Sequence, residues 1–425
     1  MMQKELKLIS NYLSKHPTYL DVDKINPDAN IEWTVVVPVY REEEYLGSMI
    51  ESLLACEEPQ NRGELILVFN SSEIDGDEVL QQQERTLKSI KETFGNEPAE
   101  WLKIIYVEAY NLPKKHFGAG WARKIGMDLA TKRFSEINKP NGLIITLDAD
   151  CKVEKNYLIE IEKWFENEEN NAASIYFEHP ISGDDFSENV YDGIIKYELH
   201  LRYYLQALKL INFPYAFHTM GSAIAVRALA YARAGGMPRK QAGEDFYFLQ
   251  KLFPLGGFGE LNKTIVYPSP RASDRVIFGT GAAITGHLDG TNQADETYNY
   301  VSFKELKVLF DRYGELYEME SDKYEEWTYE LAGPLRSFLL NNNFFPKIDE
   351  LKSMCSTQEV FDKRFFEIFN VFKIVKYLNY LVEHFYDKVP VFDAANQLLE
   401  EINQADEDAF LEEELLMIYR SLERK

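Results

Sequence analysis

The chain is short of cysteine, of positive charge and of long apolar runs. Its 425 residues include three cysteines, Cys56, Cys151 and Cys355, widely spaced and odd in number. That pattern offers neither a disulfide framework nor a metal-ligand spacing, and it suits a reducing cytosol. No window of 18 or more uninterrupted apolar residues exists, so no transmembrane helix is expected. The N-terminus, Met1-Met2-Gln3-Lys4-Glu5-Leu6, has no long apolar region, so no signal peptide is expected and the chain reads as cytoplasmic. Lys and Arg number 46 against 70 Asp and Glu, a formal net charge of −24. Such a balance argues against nucleic acid and anionic membrane surfaces as bulk partners, without excluding a local basic pocket. No internal repeat and no low-complexity tract is found. What is present is a chain 45% apolar and rich in Tyr and Phe, long enough for two or three domains with a large core. Disorder is excluded as an overall description.

Residues 5–14 read as a short amphipathic helix, followed by a polar linker with Pro17 and Pro27. From Trp33 the pattern alternates. Apolar runs at Trp33–Val37, Leu65–Phe69, Leu102–Val107 and Leu143–Leu147 are separated by helical segments at Glu42–Leu54, Glu78–Phe94 and Gly120–Thr131. Short buried strands alternating with helices imply crossovers and a mostly parallel, doubly wound sheet, which binds ligands at the carboxyl ends of its strands. The middle third is less regular: a strand at Ala172–Phe177, a long helix at Asn189–Leu210, a short apolar stretch at Ser222–Val226, a helix ending at Gly235-Gly236, and another beginning at Glu244-Asp245. From about Asn292 long, charged, aromatic helices take over, with Phe303, Leu306, Phe310 and Tyr313 as one stripe and Phe365–Phe385 as the most apolar helix. The expected division is residues 1–31 as helix and linker, 32–290 as an α/β catalytic domain and 291–425 as an all-α domain.

Leu143-Ile144-Ile145-Thr146-Leu147 runs straight into Asp148-Ala149-Asp150. Two carboxylates one residue apart repel each other, and a divalent metal that prefers oxygen ligands would relieve them. Alone, the pair reads as readily as a solvated turn. Val35-Val36-Val37-Pro38-Val39-Tyr40 leads into Arg41-Glu42-Glu43-Glu44, where the acids are expected in the first turn of the next helix and the junction forms a wall of a nucleotide pocket. Gly118-Ala119-Gly120-Trp121-Ala122-Arg123, with Lys114, Lys115 and His116 upstream, is a basic island whose glycines and helix N-terminus suit a diphosphate, or else a solvated basic turn. Glu244-Asp245 are either helix caps or groups that take a proton from an attacking hydroxyl. The stretch Pro268-Ser269-Pro270-Arg271-Ala272-Ser273-Asp274-Arg275 to His287 reads as a loop over a ligand, with an arginine on phosphate and His287 on the metal, or a satisfied surface histidine.

In this order these elements resemble the glycosyltransferase family 2 catalytic domain of GT-A fold, over about residues 32–290. Val35–Leu46 is similar to the family's opening signature, Gly118–Gly126 to its Gly-X-Gly-X-Ala-Arg-X-X-Gly segment, and Asp148-Ala149-Asp150 to its Asp-X-Asp motif. Gly221-Ser222-Ala223-Ile224-Ala225-Val226-Arg227, Gly235-Gly236-Met237-Pro238 and Glu244-Asp245 are similar to its acceptor-side region. The resemblance implies a GT-A doubly wound mixed sheet with a C-terminal all-α domain. It implies an inverting transferase that moves a sugar from a nucleoside-diphosphate sugar to an acceptor hydroxyl with Mn2+ or Mg2+. The acceptor would be a glycan, a lipid-linked molecule or a small molecule. Asp245 would be the base, with Glu244 as the fallback. Asp148 and Asp150 would hold metal, with His287 beside them. Pro38, Tyr40, Glu42, Asn70, Gly120, Arg123, Asp148 and Arg275 would line the nucleotide sugar.

The chain departs from the pattern in three places. The second strand ends Phe69-Asn70-Ser71-Ser72, with Asp75 later, where the family has paired acids or Asp-Asn to read the base. Arg41 stands where Asn is common. No Gln-X-X-Arg-Trp segment exists, so a processive polysaccharide synthase is not expected. Two alternatives stay open: a catalytically degenerate domain serving as sugar binder or scaffold, and a sugar-phosphate nucleotidyltransferase. The second needs a Gly-rich phosphate loop where this chain has Arg41-Glu42-Glu43-Glu44.

Overall fold

The computed structural model describes residues 2–16, 26–115, 117–240, 243–275, 278–291, 295–402 and 409–424. Pro17, His116 and Asn292, used in the sequence reading, lie outside the described residues. By its internal contacts the chain divides into two units, residues 1–185, 217–282 and 424–425, and residues 186–216 and 283–423.

The first unit is built on a mixed sheet of eight strands in the order β3-β2-β1-β4-β7-β6-β8-β5. They are β1 (Ile31–Val39), β2 (Arg62–Ser72), β3 (Leu102–Leu112), β4 (Leu143–Thr146), β5 (Lys152–Val153), β6 (Ala172–Phe177), β7 (Ile224–Arg227) and β8 (Phe258–Tyr267). The four strands β3, β2, β1 and β4 run parallel, as their uninterrupted apolar runs require of strands covered on both faces. Strand β7 enters antiparallel between β4 and β6. Helices α2 (Leu46–Leu54), α3 (Asp77–Phe94) and α4 (Ala119–Glu136) make the crossovers. Helix α4 is buried around most of its circumference rather than along one stripe. It lies so close to the sheet that a Cβ on Gly126 would fall 2.3 Å from Cγ1 of Val36.

Strand register positions the site. Val36 pairs with Thr146, and Thr146 with Ile224, so the ends of β1 and β4 and the residues preceding β7 meet at one level. Lys152 pairs with Tyr267, which brings the chain after β8 back beside the Asp148–Asp150 turn.

One junction differs from expectation. Helix α2 begins at Leu46, not Glu42, so Glu42, Glu43 and Glu44 are not in its first turn. Arg41 adopts a left-handed φ of 58°, and the Leu46 amide donates to the Glu42 carbonyl at 3.1 Å, which closes a separate turn. Glu42 is drawn inward by arginines from the far end of the unit, a stronger pull than a helix dipole at an exposed end.

The N-terminal helix α1 (Met2–Lys15) belongs to this unit. The buried Tyr12 hydroxyl donates to Asp128 Oδ1 at 2.6 Å, and Lys124 Nζ donates to the Tyr12 hydroxyl at 2.8 Å. Gly236, at φ 71°, leaves the space that this hydroxyl fills.

The second unit is helical. The long helix α6 (Glu188–Leu210) carries a fully buried Glu198 that accepts from Arg202 Nε at 2.9 Å and from Arg420 Nε at 2.7 Å. The expected single helix over Phe365–Phe385 is two, Gln358–Ile368 and Val371–His384. Phe369 closes the first and Asn370 caps the second, its side chain accepting from the Lys373 amide at 3.2 Å. Phe310, Phe365, Phe366 and Phe369 pack edge to face in the core. Among the described residues no helix is long and apolar enough to cross a membrane.

Candidate active site

Asp148 and Asp150 follow β4 in a turn closed by the Cys151 amide, which donates to the Asp148 carbonyl at 3.1 Å. Each acid has a guanidinium. Arg123, at the start of α4, reaches Asp148 Oδ1 with NH2 at 2.6 Å. Arg271, in the stretch after β8, reaches Asp150 Oδ2 with Nε at 2.6 Å. The Asp148 side chain is 36% exposed and that of Asp150 18%, so the pair sits at the edge of solvent. Burial, with Glu42 and Asp148 nearby, pushes the Asp150 carboxyl up to about 6 despite Arg271.

Arg123 links Asp148 to the start of the helix that carries Glu244 and Asp245. Its guanidinium is buried, bonds Asp148 through NH2 and bonds Glu244 through NH1. Burial alone would weaken its hold on the proton, but Asp148, Glu244 and Asp245 outweigh that and keep it cationic. Glu244 and Asp245 open helix α8 (Glu244–Leu252). Burial pushes Glu244 up to about 7, opposed by Arg123 and aided by Asp245. Burial raises Asp245 as well. The close approach explains two glycines. A Cβ on Gly120 would lie 2.5 Å from Glu244 Cγ, and one on Gly221 would lie 2.8 Å from both Arg123 NH1 and Asp245 Oδ2. At Gly120 the missing side chain makes room for Glu244.

Glu42 completes the opposite wall. Both its oxygens accept from Arg271 NH2 at 2.7 Å, and Oε1 accepts from Arg275 NH1 at 2.7 Å. The Arg271 guanidinium also stacks over Tyr45, 4.2 Å from the ring centroid. Arg271 was not singled out from sequence. An arginine in a Ser/Pro-rich loop carries no more signal than Arg275 beside it, and only the pairing of β5 with β8 brings it to Asp150.

At the ends of β1 and β2, Pro38 lies in β1 and the Tyr40 hydroxyl donates to Asp75 Oδ1 at 3.1 Å. Asp75 also accepts from the Ser72 amide at 2.7 Å, so an acid returns to the end of β2 where Asn70 had replaced one. Asn70 is buried, with Oδ1 unpartnered. Gln83, unnoticed in sequence, ties the strand ends together, donating to the carbonyls of Val39 at 2.7 Å and Asn70 at 2.8 Å. His287 lies in the second unit, with Nε2 3.3 Å from Asp192 Oδ2 and Nδ1 3.9 Å from Asp295 Oδ1.

Five carboxylates (Glu42, Asp148, Asp150, Glu244 and Asp245) thus face three guanidiniums, a formal excess of two negative charges with all five ionised and of one when Glu244 keeps its proton. That surplus and its hard oxygen donors fit a divalent cation of the Mg2+ or Mn2+ type. Among the described residues no three His, Cys, Asp or Glu side chains are gathered to hold a metal by themselves. Phosphate oxygens and water would have to complete the shell, the usual arrangement for Mg2+.

Residues 34–227 match the sequence profile of a family described as Glycosyl transferase family 2. No curated protein matches the chain. Among solved structures, Staphylococcus aureus TarS 1-349 in complex with UDP-GlcNAc is 13% identical, covers 79% of this chain and 92% of its own, and has a TM-score of 0.40. The mannosyltransferase PcManGT from Pyrobaculum calidifontis, in complex with GDP-Man and Mn2+, is 14% identical, covers 100% of this chain and 94% of its own, and has a TM-score of 0.32.

Proposed function

We propose, for a chain that belongs through residues 34–227 to glycosyl transferase family 2, that it moves a sugar with inversion from a nucleoside-diphosphate sugar to an acceptor hydroxyl. The observation that carries this reading is Arg123, whose one guanidinium joins the donor-side acid Asp148 to the acid pair that opens α8. Donor and acceptor chemistry thereby share one rigid mount, the positioning on which bimolecular transfer depends.

Asp148 and Asp150 would hold Mn2+ or Mg2+, which when bound neutralises charge on the departing diphosphate. The acceptor oxygen attacks the anomeric carbon, the bond from that carbon to the phosphate oxygen breaks, and the diphosphate leaves with the electron pair. Asp245 takes the acceptor proton. Its raised affinity for a proton suits a general base at neutral pH. Glu244 is less suited, because Arg123 occupies it. Arg123 therefore acts as a positioning residue rather than a phosphate contact. Tyr40, held by Asp75, together with Pro38 and Asn70, forms the base-side wall, and Arg275 supplies fixed positive charge near the diphosphate. The acceptor is a glycan, lipid-linked or small-molecule hydroxyl.

Asp245→Asn tests the assignment. It should bind nucleoside diphosphate with Mn2+ as the wild type does, yet lose on the order of 10²–10⁴-fold in turnover of a nucleotide-sugar panel. Turnover at the wild-type rate would remove Asp245 as the base.

A further inference from the structure

We infer that Arg271 makes cation binding at Asp150 wait for the diphosphate, an inference that rests on the metal site proposed above. Arg271 fills the cationic position itself. Its Nε lies 2.6 Å from Asp150 Oδ2, and its NH2 lies 2.7 Å from each Glu42 oxygen. Its flat face rests on Tyr45, at 4.2 Å from the ring centroid, so the guanidinium is held from three directions. A free divalent cation that is to use Asp150 meets a positive charge already bonded to the carboxylate, and it must displace that charge.

The surrounding contacts favour displacement by exchange. When Arg271 leaves, Glu42 keeps Arg275, whose NH1 lies 2.7 Å from Oε1, so Glu42 is not stranded as an unpaired partly buried acid. Only Asp150 loses its counter-charge, and the arriving metal replaces it. Arg271 in turn needs an anion, and a guanidinium binds phosphate oxygens in the same forked manner as carboxylate oxygens. A diphosphate supplies that anion. Cation and diphosphate then bind with positive coupling: each is weak alone and strong together, and the coupling is reciprocal. The site is thereby kept from binding metal with no donor present.

The test titrates Mn2+ and reads the enhancement of water-proton relaxation over that of free Mn2+, which rises when Mn2+ tumbles with the protein. Wild type, Arg271→Gln and Arg271→Lys are compared with Mn2+ alone and with inorganic pyrophosphate added. Arg271→Gln should bind Mn2+ alone on the order of tenfold more tightly than wild type. Pyrophosphate should then strengthen Mn2+ binding less in the variant than in wild type. Arg271→Lys keeps the charge without the fork and should fall between them; it carries the comparison if the glutamine variant does not fold. Asp150→Asn in the Arg271→Gln background should remove the gain. Equal Mn2+ affinity in wild type and Arg271→Gln, lost in both with Asp150→Asn, overturns the role of Arg271 and leaves the metal site standing. If no form binds Mn2+ with or without pyrophosphate, the metal site falls and this inference with it.

Discussion

Glu244→Gln exposes the electrostatic cost of burying an acid at the start of α8. Glu244 is 5% exposed, and in the folded chain its carboxyl titrates at about 7 rather than its ordinary 4.5, chiefly because of burial. An acid whose folded value is raised supports the native state fully below its unfolded value and loses that support as pH climbs through the folded one. Between about 4.5 and 7 the native protein keeps a proton that the unfolded chain has released, so stability falls with rising pH. At about 1.36 kcal/mol per pH unit, the whole window is worth ~3 kcal/mol. The chain's isoelectric point is near 4.8, so titration is best begun at about pH 5.5, where ~2 kcal/mol of the change is still to come. The assay is urea unfolding of wild type and Glu244→Gln from pH 5.5 to 8 by tryptophan fluorescence. Trp33, Trp101, Trp121 and Trp164 all lie in the first unit, so the signal weights the part that contains the change. The wild-type-minus-variant stability should fall by ~2 kcal/mol toward pH 7 and then level off. A difference that is flat, or that rises with pH, would refute a buried, proton-holding Glu244.

Two further changes probe the geometry. Gly221→Ala places a methyl 2.8 Å from both Arg123 NH1 and Asp245 Oδ2, so one of them must move. A displacement of that kind should cost on the order of 10²-fold in turnover while the circular dichroism spectrum stays unchanged, and wild-type turnover would contradict the tight approach. Asn370→Ala removes the cap between the helices Gln358–Ile368 and Val371–His384 and should lower the urea stability of the helical unit by about 1 kcal/mol; an unchanged midpoint would argue against the break.

The sheet's parallel half was legible because strands covered on both faces are written as continuous apolar runs, as in Val35–Val37 and Leu143–Leu147. The positions of Asp148, Asp150 and Glu244-Asp245 were legible because they lie at a strand end and a helix start. Strand β8 was not, since Glu260, Asn262 and Lys263 interrupt its apolar pattern. Glu42 was misplaced because an acid before a helix is expected to serve the dipole, whereas its partner Arg271 stands 229 positions away. Arg271 and Gln83 escaped notice for the same reason: their partners are set by register and crossover packing, which no local pattern records. The Phe365–Phe385 break was hidden because Asn370 lies inside an otherwise apolar, aromatic run, where no local pattern marks it as the cap that begins a second helix.

Asp148 and Asp150 are proposed to serve a metal-bound nucleoside-diphosphate sugar. The most direct test is the thermal stability of wild type and Asp150→Asn against a panel of nucleoside diphosphates and nucleotide sugars, with and without Mn2+. A ligand at 100 times its dissociation constant stabilises by about 2.7 kcal/mol, ample for a clear shift. One nucleotide should stabilise wild type, Mn2+ should increase the effect, and Asp150→Asn should lose the Mn2+-dependent part. No stabilisation of wild type by any member of the panel, with Mn2+ present, would contradict that assignment.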